Sequence, residues 1–148
     1  MRISIASDEA VGIAPLLADA LSRRGHDVVV HGALAAGEEP EQWAWACEAA
    51  ARDVAEGRAH QGVVCCWTGT GASIAANKVM GVRAALCADA PTAEGARRWN
   101  DANVLAISLR STSEAELEEI LDAFLATAAS DEAEDRANVE HLSEIERG

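Results

Sequence analysis

The sequence predicts an α/β fold: a Rossmann-like or flavodoxin-like doubly wound domain with a five-stranded parallel sheet and helices on both faces. Three observations predict it. The chain has 148 residues, which suits one domain, and 49% of them are apolar, which is enough for a packed interior. Short apolar runs also alternate with longer helical patterns, and right-handed strand–helix–strand crossovers then leave few architectures other than a covered parallel sheet.

Strands and helices alternate regularly through the first half of the chain. Residues 2–6 are predicted as an apolar strand, and residues 12–24 as a helix that ends at Gly25, a common residue after a helix C-terminus. A second strand over residues 28–30 is followed by an Ala-rich helix over residues 41–56. The pattern therefore supplies two strand–helix units.

The middle of the chain continues the alternation. The third strand covers residues 62–66 and runs into a glycine-rich turn, after which a helix begins near Ala72. Residues 82–87 are predicted as the fourth strand, residues 92–99 as the next helix, and residues 103–107 as the fifth strand. These strands are almost uninterrupted apolar runs, as expected where both faces of a sheet are covered.

The C-terminal part contains a helix and an acidic tail. An amphipathic helix over residues 113–128 is opened by Ser113 and Glu116, which have the spacing of a capping box. We predict residues 1–130 as a single domain. Residues 131–148 are predicted as an acidic helix or tail, either docked on a neighbouring subunit or solvated, with apolar residues at helical spacing: Val139, Leu142 and Ile145.

The charge of the chain restricts its partners. Twelve basic and 25 acidic residues give a formal net charge of −13. Nucleic acids and anionic membranes attract basic patches, so neither is an expected partner. No apolar run reaches the roughly 18 residues of a membrane span, and the first strand follows Met1 without a signal-peptide pattern. We expect a cytoplasmic protein.

The cysteines point to neither a disulfide framework nor a metal site. Cys47, Cys65, Cys66 and Cys87 show no zinc spacing and no C-x-x-C pair, and no cluster of His, Asp and Glu accompanies them. We expect no metal and no cofactor. Cys65 and Cys66 are adjacent on a strand, so they face opposite sides of the sheet, and Cys65 is expected in the core.

The end of the third strand is the most informative candidate site, since ligands of doubly wound folds bind beyond the carboxyl ends of the strands. There, Gly69 and Gly71 let the backbone approach a ligand and direct N–H groups at the start of a helix toward an anion. Cys66 precedes this positive end and is a candidate base or nucleophile. Thr68 offers a hydroxyl that can both give and take a proton.

Other chain segments bring side chains to the same crevice. Asp8 and Glu9 follow the first strand, and Arg110 follows the fifth. Trp99 and Asn100 precede the fifth strand and are expected to reach the site as well. We therefore predict a site that several strand ends assemble together.

A family resemblance rests on these residues. The motif Cys66-x-Thr68-Gly69-x-Gly71-x-Ser73 continues through Asn77-Lys78, and Gly81-Val82-Arg83-Ala84-Ala85-Leu86 and Asn100-Asp101-Ala102-Asn103 follow it. Together with Ser7-Asp8, these motifs resemble the type B ribose-5-phosphate isomerase and galactose-6-phosphate isomerase family. The resemblance covers about residues 1–128, apart from an extended segment near residues 38–46.

The resemblance implies a Rossmann-like homodimer or homotetramer whose active sites are shared between subunits. It implies interconversion of an aldose phosphate and a ketose phosphate through a cis-enediolate, as part of carbohydrate metabolism such as the pentose phosphate reactions. By the same resemblance, Cys66 is the base and Thr68 relays protons between the two oxygens. Asp8 and Asn100 bind sugar hydroxyls, and the enediolate is held by the amides of Gly69, Thr70, Gly71, Ala72 and Ser73.

Several positions depart from the family pattern. Glu9 and Trp99 stand where the family usually has histidines, one credited with phosphate binding and the other with opening the sugar ring. Trp67 replaces a glycine, and the C-terminal basic cluster is reduced to Arg136, although Arg110 still matches a phosphate-contacting position. The departures suggest an altered substrate, such as a short, open-chain or non-phosphorylated sugar derivative.

Two alternatives to an isomerase remain at this point. One is a catalytically silent module that binds a sugar or nucleotide, and the other is a partner subunit of a hetero-oligomeric isomerase. Some residues also have plainer interpretations: Asp8 as a helix cap, one of Trp43 and Trp45 as a core residue, and the histidines His26, His31, His60 and His141 as structural or exposed side chains.

Overall fold

The computed structural model describes all residues, Met1–Gly148, and confirms the predicted parallel α/β fold. One five-stranded sheet has the strand order β2-β1-β3-β5-β4, and every neighbouring pair is parallel. The strands are β1 (Arg2–Ser7), β2 (Asp27–Gly32), β3 (Gln61–Cys66), β4 (Ala84–Leu86) and β5 (Val104–Ser108).

Six α-helices connect or follow the strands. They are α1 (Leu17–Arg23), α2 (Trp43–Ala55), α3 (Thr70–Asn77), α4 (Ala90–Asn100), α5 (Glu114–Ala126) and α6 (Ala133–Arg147). The first helix is shorter than predicted, and a 3-10 turn over Ala14–Leu16 precedes it. Gly12 has a φ of 58°, which no α-helix accommodates, and Pro15 has no amide to donate, so a regular helix begins only at Leu17. The predicted capping box of Ser113 and Glu116 is confirmed at the start of α5.

The sheet separates two hydrophobic clusters. One contains 20 buried residues, among them Leu17, Leu105 and Phe124, and the other contains 14, among them Ala50 and Ala76. Cys65 lies in the first cluster and Cys66 in the second. The alternation of side chains along β3 thus places the two adjacent thiols on opposite faces, as predicted.

The strand register aligns the carboxyl ends of the three central strands. Ser7 at the end of β1 pairs with Cys65, and Cys66 pairs with Ser108 at the end of β5. The residues that follow these strands therefore emerge at one edge of the sheet, next to the N-terminus of α3.

The prediction that Trp43 or Trp45 is a core residue is wrong. Both side chains are exposed, with 44% and 59% of their surface accessible. The reason is the start of α2: the helix begins at Trp43, so both indoles lie in its first turn, at the edge of the sheet. The small residues further along, including Ala46 and Ala50, form the buried face instead.

Helix α6 lies on the surface and buries none of its residues. It packs beside α4, and the Gly81 amide donates to both carboxylate oxygens of Glu146 at 3.0 and 3.1 Å. Its apolar residues Leu142 and Ile145 remain exposed. None of the helices of the chain combines the length and apolar character that crossing a bilayer requires.

Candidate active site

Three hydrogen bonds to β5 and the residues after it fix the turn that follows β3. The Leu109 amide donates to the Cys66 carbonyl at 3.0 Å. The Trp67 carbonyl accepts from the Arg110 amide at 2.9 Å and from the Ser108 hydroxyl at 3.0 Å. Because both carbonyls of the turn are held by the neighbouring strand end, the turn leaves the sheet in a defined direction.

Gly69 then reverses the chain into α3. It is the N-cap residue and has a φ of 76°, in the left-handed region that L side chains rarely adopt. A Cβ atom there would lie 2.5 Å from Leu86 Cδ1 and 2.9 Å from the Ile107 carbonyl carbon, so there is no space for one. Both the conformation and the close approach to β5 require glycine.

The N-terminus of α3 leaves only part of its amides available to a ligand. The Gly69 amide donates to the Cys66 carbonyl and the Ser73 amide to the Gly69 carbonyl, at 3.2 and 3.0 Å. The amides of Thr70 and Gly71 have no acceptor within the chain, as is usual for the first residues of a helix. Of the five amides suggested by the sequence, these two can hold an anion.

The Ala72 amide donates instead to the sulfur of Cys66 at 3.4 Å. This sulfur therefore accepts a hydrogen bond from the positive end of a helix, an arrangement that favours a thiolate. Cys66 itself is 5% exposed.

The other three thiols are in a different environment. Burial, the largest cause, raises the pKa of Cys47 to about 12 and that of Cys87 to about 11, and it raises the pKa of Cys65 well above its usual value. Cys47 and Cys87 act as hydrogen-bond donors to backbone carbonyls, whereas Cys66 is an acceptor. Cys66 is thus the thiol whose surroundings suit proton transfer.

Polar side chains of the turn lie beside these backbone groups. The hydroxyl oxygens of Thr68 and Thr70 are 2.7 Å apart and share one hydrogen bond. Trp67 projects outward, and 53% of its side chain is exposed. The turn therefore combines a thiol, a hydroxyl pair and an indole at the open edge of the sheet.

Asp8 follows the strand next to β3. Its Oδ1 atom is shielded from solvent and has no hydrogen-bond partner. Desolvation raises the pKa of Asp8, and the nearby charge of Glu9 adds to this effect, against the lowering influence of the Asp8 and Glu9 amides. A buried polar atom without a partner is uncommon in native structures, and it marks Asp8 as a candidate functional residue.

A cavity of about 450 Å³ borders Asp8 and is lined by Asp8, Glu9, Glu41, Gln42, Trp43, Ala44 and Trp45. Trp43 also touches the turn, since a Cβ atom on Gly71 would lie 3.0 Å from its indole ring. The cavity thus lies between the end of β1 and the start of α2. The sequence did not indicate Glu41, because the segment before α2 carries no recognisable motif.

Trp99 and Asn100 lie elsewhere in the single chain. They line a cavity of about 600 Å³ on the β4 side of the sheet, together with Leu86 and residues of α4. Leu86 also contacts Gly69, so its side chain stands at the border of the β3 turn. The structure therefore does not bring Trp99 and Asn100 to Cys66 within one chain.

Arg110 emerges close to the turn, and its guanidinium forms no ion pair or hydrogen bond within the chain. It is available to an anionic ligand. No three His, Cys, Asp or Glu side chains converge as they would to hold a metal ion.

Residues 3–142 match the Ribose/Galactose Isomerase family. The galactose-6-phosphate isomerase subunit LacB of Clostridium acetobutylicum is 36% identical over 146 residues, which are 98% of this chain and 83% of that protein. The D-erythrulose-4-phosphate isomerase of Pectobacterium atrosepticum is 32% identical over 126 residues, 84% of this chain and 82% of that one.

A solved structure agrees with these relatives. The type B ribose 5-phosphate isomerase of Trypanosoma cruzi superimposes with a TM-score of 0.90 at 34% sequence identity, and the match covers 99% of this chain and 96% of that chain. The chain therefore belongs to the ribose/galactose isomerase family and is a sugar-phosphate aldose–ketose isomerase.

Proposed function

We propose that the site at the end of β3 isomerises its substrate through a cis-enediolate, with Cys66 as the base and Thr68 as the proton relay. The observation that carries this proposal is the hydrogen bond from the Ala72 amide to the Cys66 sulfur. It stabilises the thiolate form, and a base close to the reacting carbon must be deprotonated when the substrate arrives.

The reaction requires three functions, and the turn contains a group for each. The Cys66 thiolate removes the proton from the carbon that bears the hydroxyl and returns it to the former carbonyl carbon. The free amides of Thr70 and Gly71 stabilise the negative charge that develops on the enediolate oxygens. The Thr68 hydroxyl transfers a proton from one of these oxygens to the other, since a hydroxyl both donates and accepts. Asp8, which lines the cavity beside α2, orients a substrate hydroxyl.

We further propose a short, open-chain sugar phosphate as the substrate. A four-carbon sugar with a phosphate on its last hydroxyl has no free hydroxyl left to close a five-membered ring, so its isomerisation needs no ring opening. This suits a chain with Trp99 at the position that the family resemblance links to ring opening. A relative named for D-erythrulose 4-phosphate supports the assignment. Arg110 and the Thr70 and Gly71 amides provide donors for anionic groups.

Substrate preference can be measured directly. We expect kcat/KM for D-erythrulose 4-phosphate to exceed that for ribose 5-phosphate by at least about tenfold, because a site without a ring-opening group acts only on the small open-chain fraction of a pentose phosphate. The matched variant Trp99→His should raise kcat/KM for ribose 5-phosphate and leave the value for the four-carbon substrate nearly unchanged. Equal or better turnover of ribose 5-phosphate by the unmodified enzyme would refute the assignment.

We also propose that the site is completed by a second copy of the chain in a homodimer or homotetramer. Trp99 and Asn100 line a different cavity from Asp8 within one chain, and the resemblance implies sites shared between subunits. A hetero-oligomeric arrangement is the competing possibility, because one relative is named as a subunit of its enzyme.

Purification of the chain alone distinguishes a homo-oligomer from a hetero-oligomer. For a homo-oligomer, light scattering should give a multiple of 15.5 kDa, and the same fraction should be active. An inactive monomer would favour a missing partner subunit.

A further inference from the structure

Residues 36–41, between β2 and α2, border the candidate site and form few hydrogen bonds with the rest of the chain. Glu41, at the end of this segment, and Gln42 line the cavity beside Asp8, next to Trp43 at the start of α2. Over residues 36–41, the only hydrogen bonds to other parts of the chain come from the Glu39 side chain. Its Oε2 atom accepts from the Gly32 amide at 3.3 Å and lies 3.3 Å from Nδ1 of His31. Glu39 therefore anchors this segment.

His31 connects that anchor to a buried carboxylate. Its Nε2 atom lies 2.7 Å from Oδ2 of Asp53, a residue of α2 that is 7% exposed. Asp53 also accepts from the Ser4 hydroxyl and from Arg58 Nε, both at 2.8 Å. Burial alone would raise the pKa of Asp53, but the hydrogen bonds from His31, Ser4 and Arg58 outweigh it and the net effect is a lowered pKa. Asp53 is thus a fixed negative charge.

The two ring nitrogens of His31 both face carboxylates, and this makes the arrangement depend on its protonation. A neutral imidazole carries one N–H, whereas an imidazolium carries two. Only the imidazolium can donate to Asp53 and Glu39 at the same time. In the neutral ring the proton stays on Nε2, because the contact of Nε2 with Asp53 is shorter than that of Nδ1 with Glu39. The lone pair of Nδ1 then faces the Glu39 carboxylate and repels it. The charged groups around the ring are Asp53, Glu39 and Arg58, and Arg58 pairs with Asp53 and with Glu56.

We propose that His31 is a positioning residue: when protonated it holds residues 36–41 against the cavity beside Asp8, and when neutral it weakens this attachment and leaves only the contact of Glu39 with the Gly32 amide. The imidazolium fixes Glu39, and Glu39 fixes the chain that leads to Glu41 and Gln42. Because Glu41 and Gln42 line the cavity beside Asp8 together with Trp43, the position of the segment affects the width of that cavity. The inference rests on the proposed function only in assuming that substrate occupies this cavity.

The first test follows the indole N–H signal of Trp43 by NMR between pH 5.5 and 8.5, with Trp43→Phe to assign it. We expect the signal to titrate together with the His31 ring in the unmodified protein. Glu39→Gln should abolish this titration, because a carboxamide can donate to the neutral ring as well as accept from the protonated one. Glu38→Gln changes a neighbouring exposed residue without contacts and should titrate like the unmodified protein. A Trp43 signal that does not titrate, or that titrates equally in Glu39→Gln, would overturn the proposal.

The second test separates positioning from chemistry. At pH 8.5 we expect the KM of the unmodified enzyme to exceed that of Glu39→Gln by about tenfold, the effect of one charge-assisted hydrogen bond, with kcat unchanged within about twofold. At pH 5.5 the two KM values should coincide. Equal KM values at both pH values would contradict the role of His31. The NMR titration needs no turnover, so it decides the inference even if Cys66 proves not to be the base.

Discussion

Cys66→Ala is expected to lower kcat by about 10²–10⁴-fold, the range typical of a lost general acid–base group. Alanine removes the sulfur that accepts from the Ala72 amide, and the neighbouring thiol of Cys65 cannot replace it because it lies on the opposite face of the sheet. The variant keeps the proposed substrate contacts through the Thr70 and Gly71 amides and Asp8, so KM should change little. Steady-state kinetics of the aldose–ketose interconversion measures both constants.

Cys87→Ala is the matched control for this loss. Cys87 is also buried at a strand end, but its raised pKa of about 11 keeps it protonated at neutral pH, so its removal should leave kcat within about twofold. Titration calorimetry with the substrate completes the comparison. A Cys66→Ala protein that still binds sugar phosphate has lost the catalytic step and kept substrate binding. Full turnover in Cys66→Ala would exclude Cys66 as the base.

Gly69→Ala is expected to lower the free energy of unfolding by about 2–5 kcal/mol, the sum of left-handed backbone strain and overpacking. The new methyl group would meet Leu86 and the backbone of Ile107 and Ser108 at distances of 2.5 to 3.0 Å. Relief of these contacts requires the turn to move away from β5, which also displaces the Thr70 and Gly71 amides. We therefore expect loss of activity even where the variant remains folded, as measured by urea denaturation and kinetics on the same sample.

Gly25→Ala provides the comparison for the backbone contribution. Gly25 has a φ of 82°, close to that of Gly69, but an added Cβ atom there would have no neighbour within 4 Å. Its cost should be limited to the conformational strain of about 1–2 kcal/mol, with activity retained. If the two variants were equally destabilised, backbone conformation alone, and not close packing, would explain the need for glycine at position 69.

The fold could be predicted because local patterns determine it. Apolar runs such as Val63-Val64-Cys65 and the alternation with helices define a parallel sheet, and the alternation of Cys65 and Cys66 follows from strand geometry alone. The turn after Cys66 could be predicted for the same reason: its glycines, hydroxyls and thiol are neighbours in sequence. Helix boundaries depend on individual backbone angles, and the positive φ of Gly12 and the 3-10 turn after it delay the start of α1.

Features that depend on tertiary placement could not be predicted. His31, Glu39 and Asp53 come from a strand, a connecting segment and a helix, and nothing in their local sequence indicates that they meet. The exposed positions of Trp43 and Trp45 depend on where α2 begins relative to the sheet edge. The separation of Trp99 from Cys66 reflects the strand order, which puts β5 between β3 and β4.

The attachment of α6 has a consequence for the dynamics of the chain. A helix that buries no residue contributes little to the cooperative unit formed by the sheet and its covering helices. Its amides should therefore exchange with solvent through local opening, without unfolding of the sheet. Within one chain the free energy of that opening is set largely by the contact between Glu146 and Gly81, since Leu142 and Ile145 are exposed. A partner surface that covered these two residues would raise it. Hydrogen exchange along α6 is thus a sensitive indicator of assembly in solution.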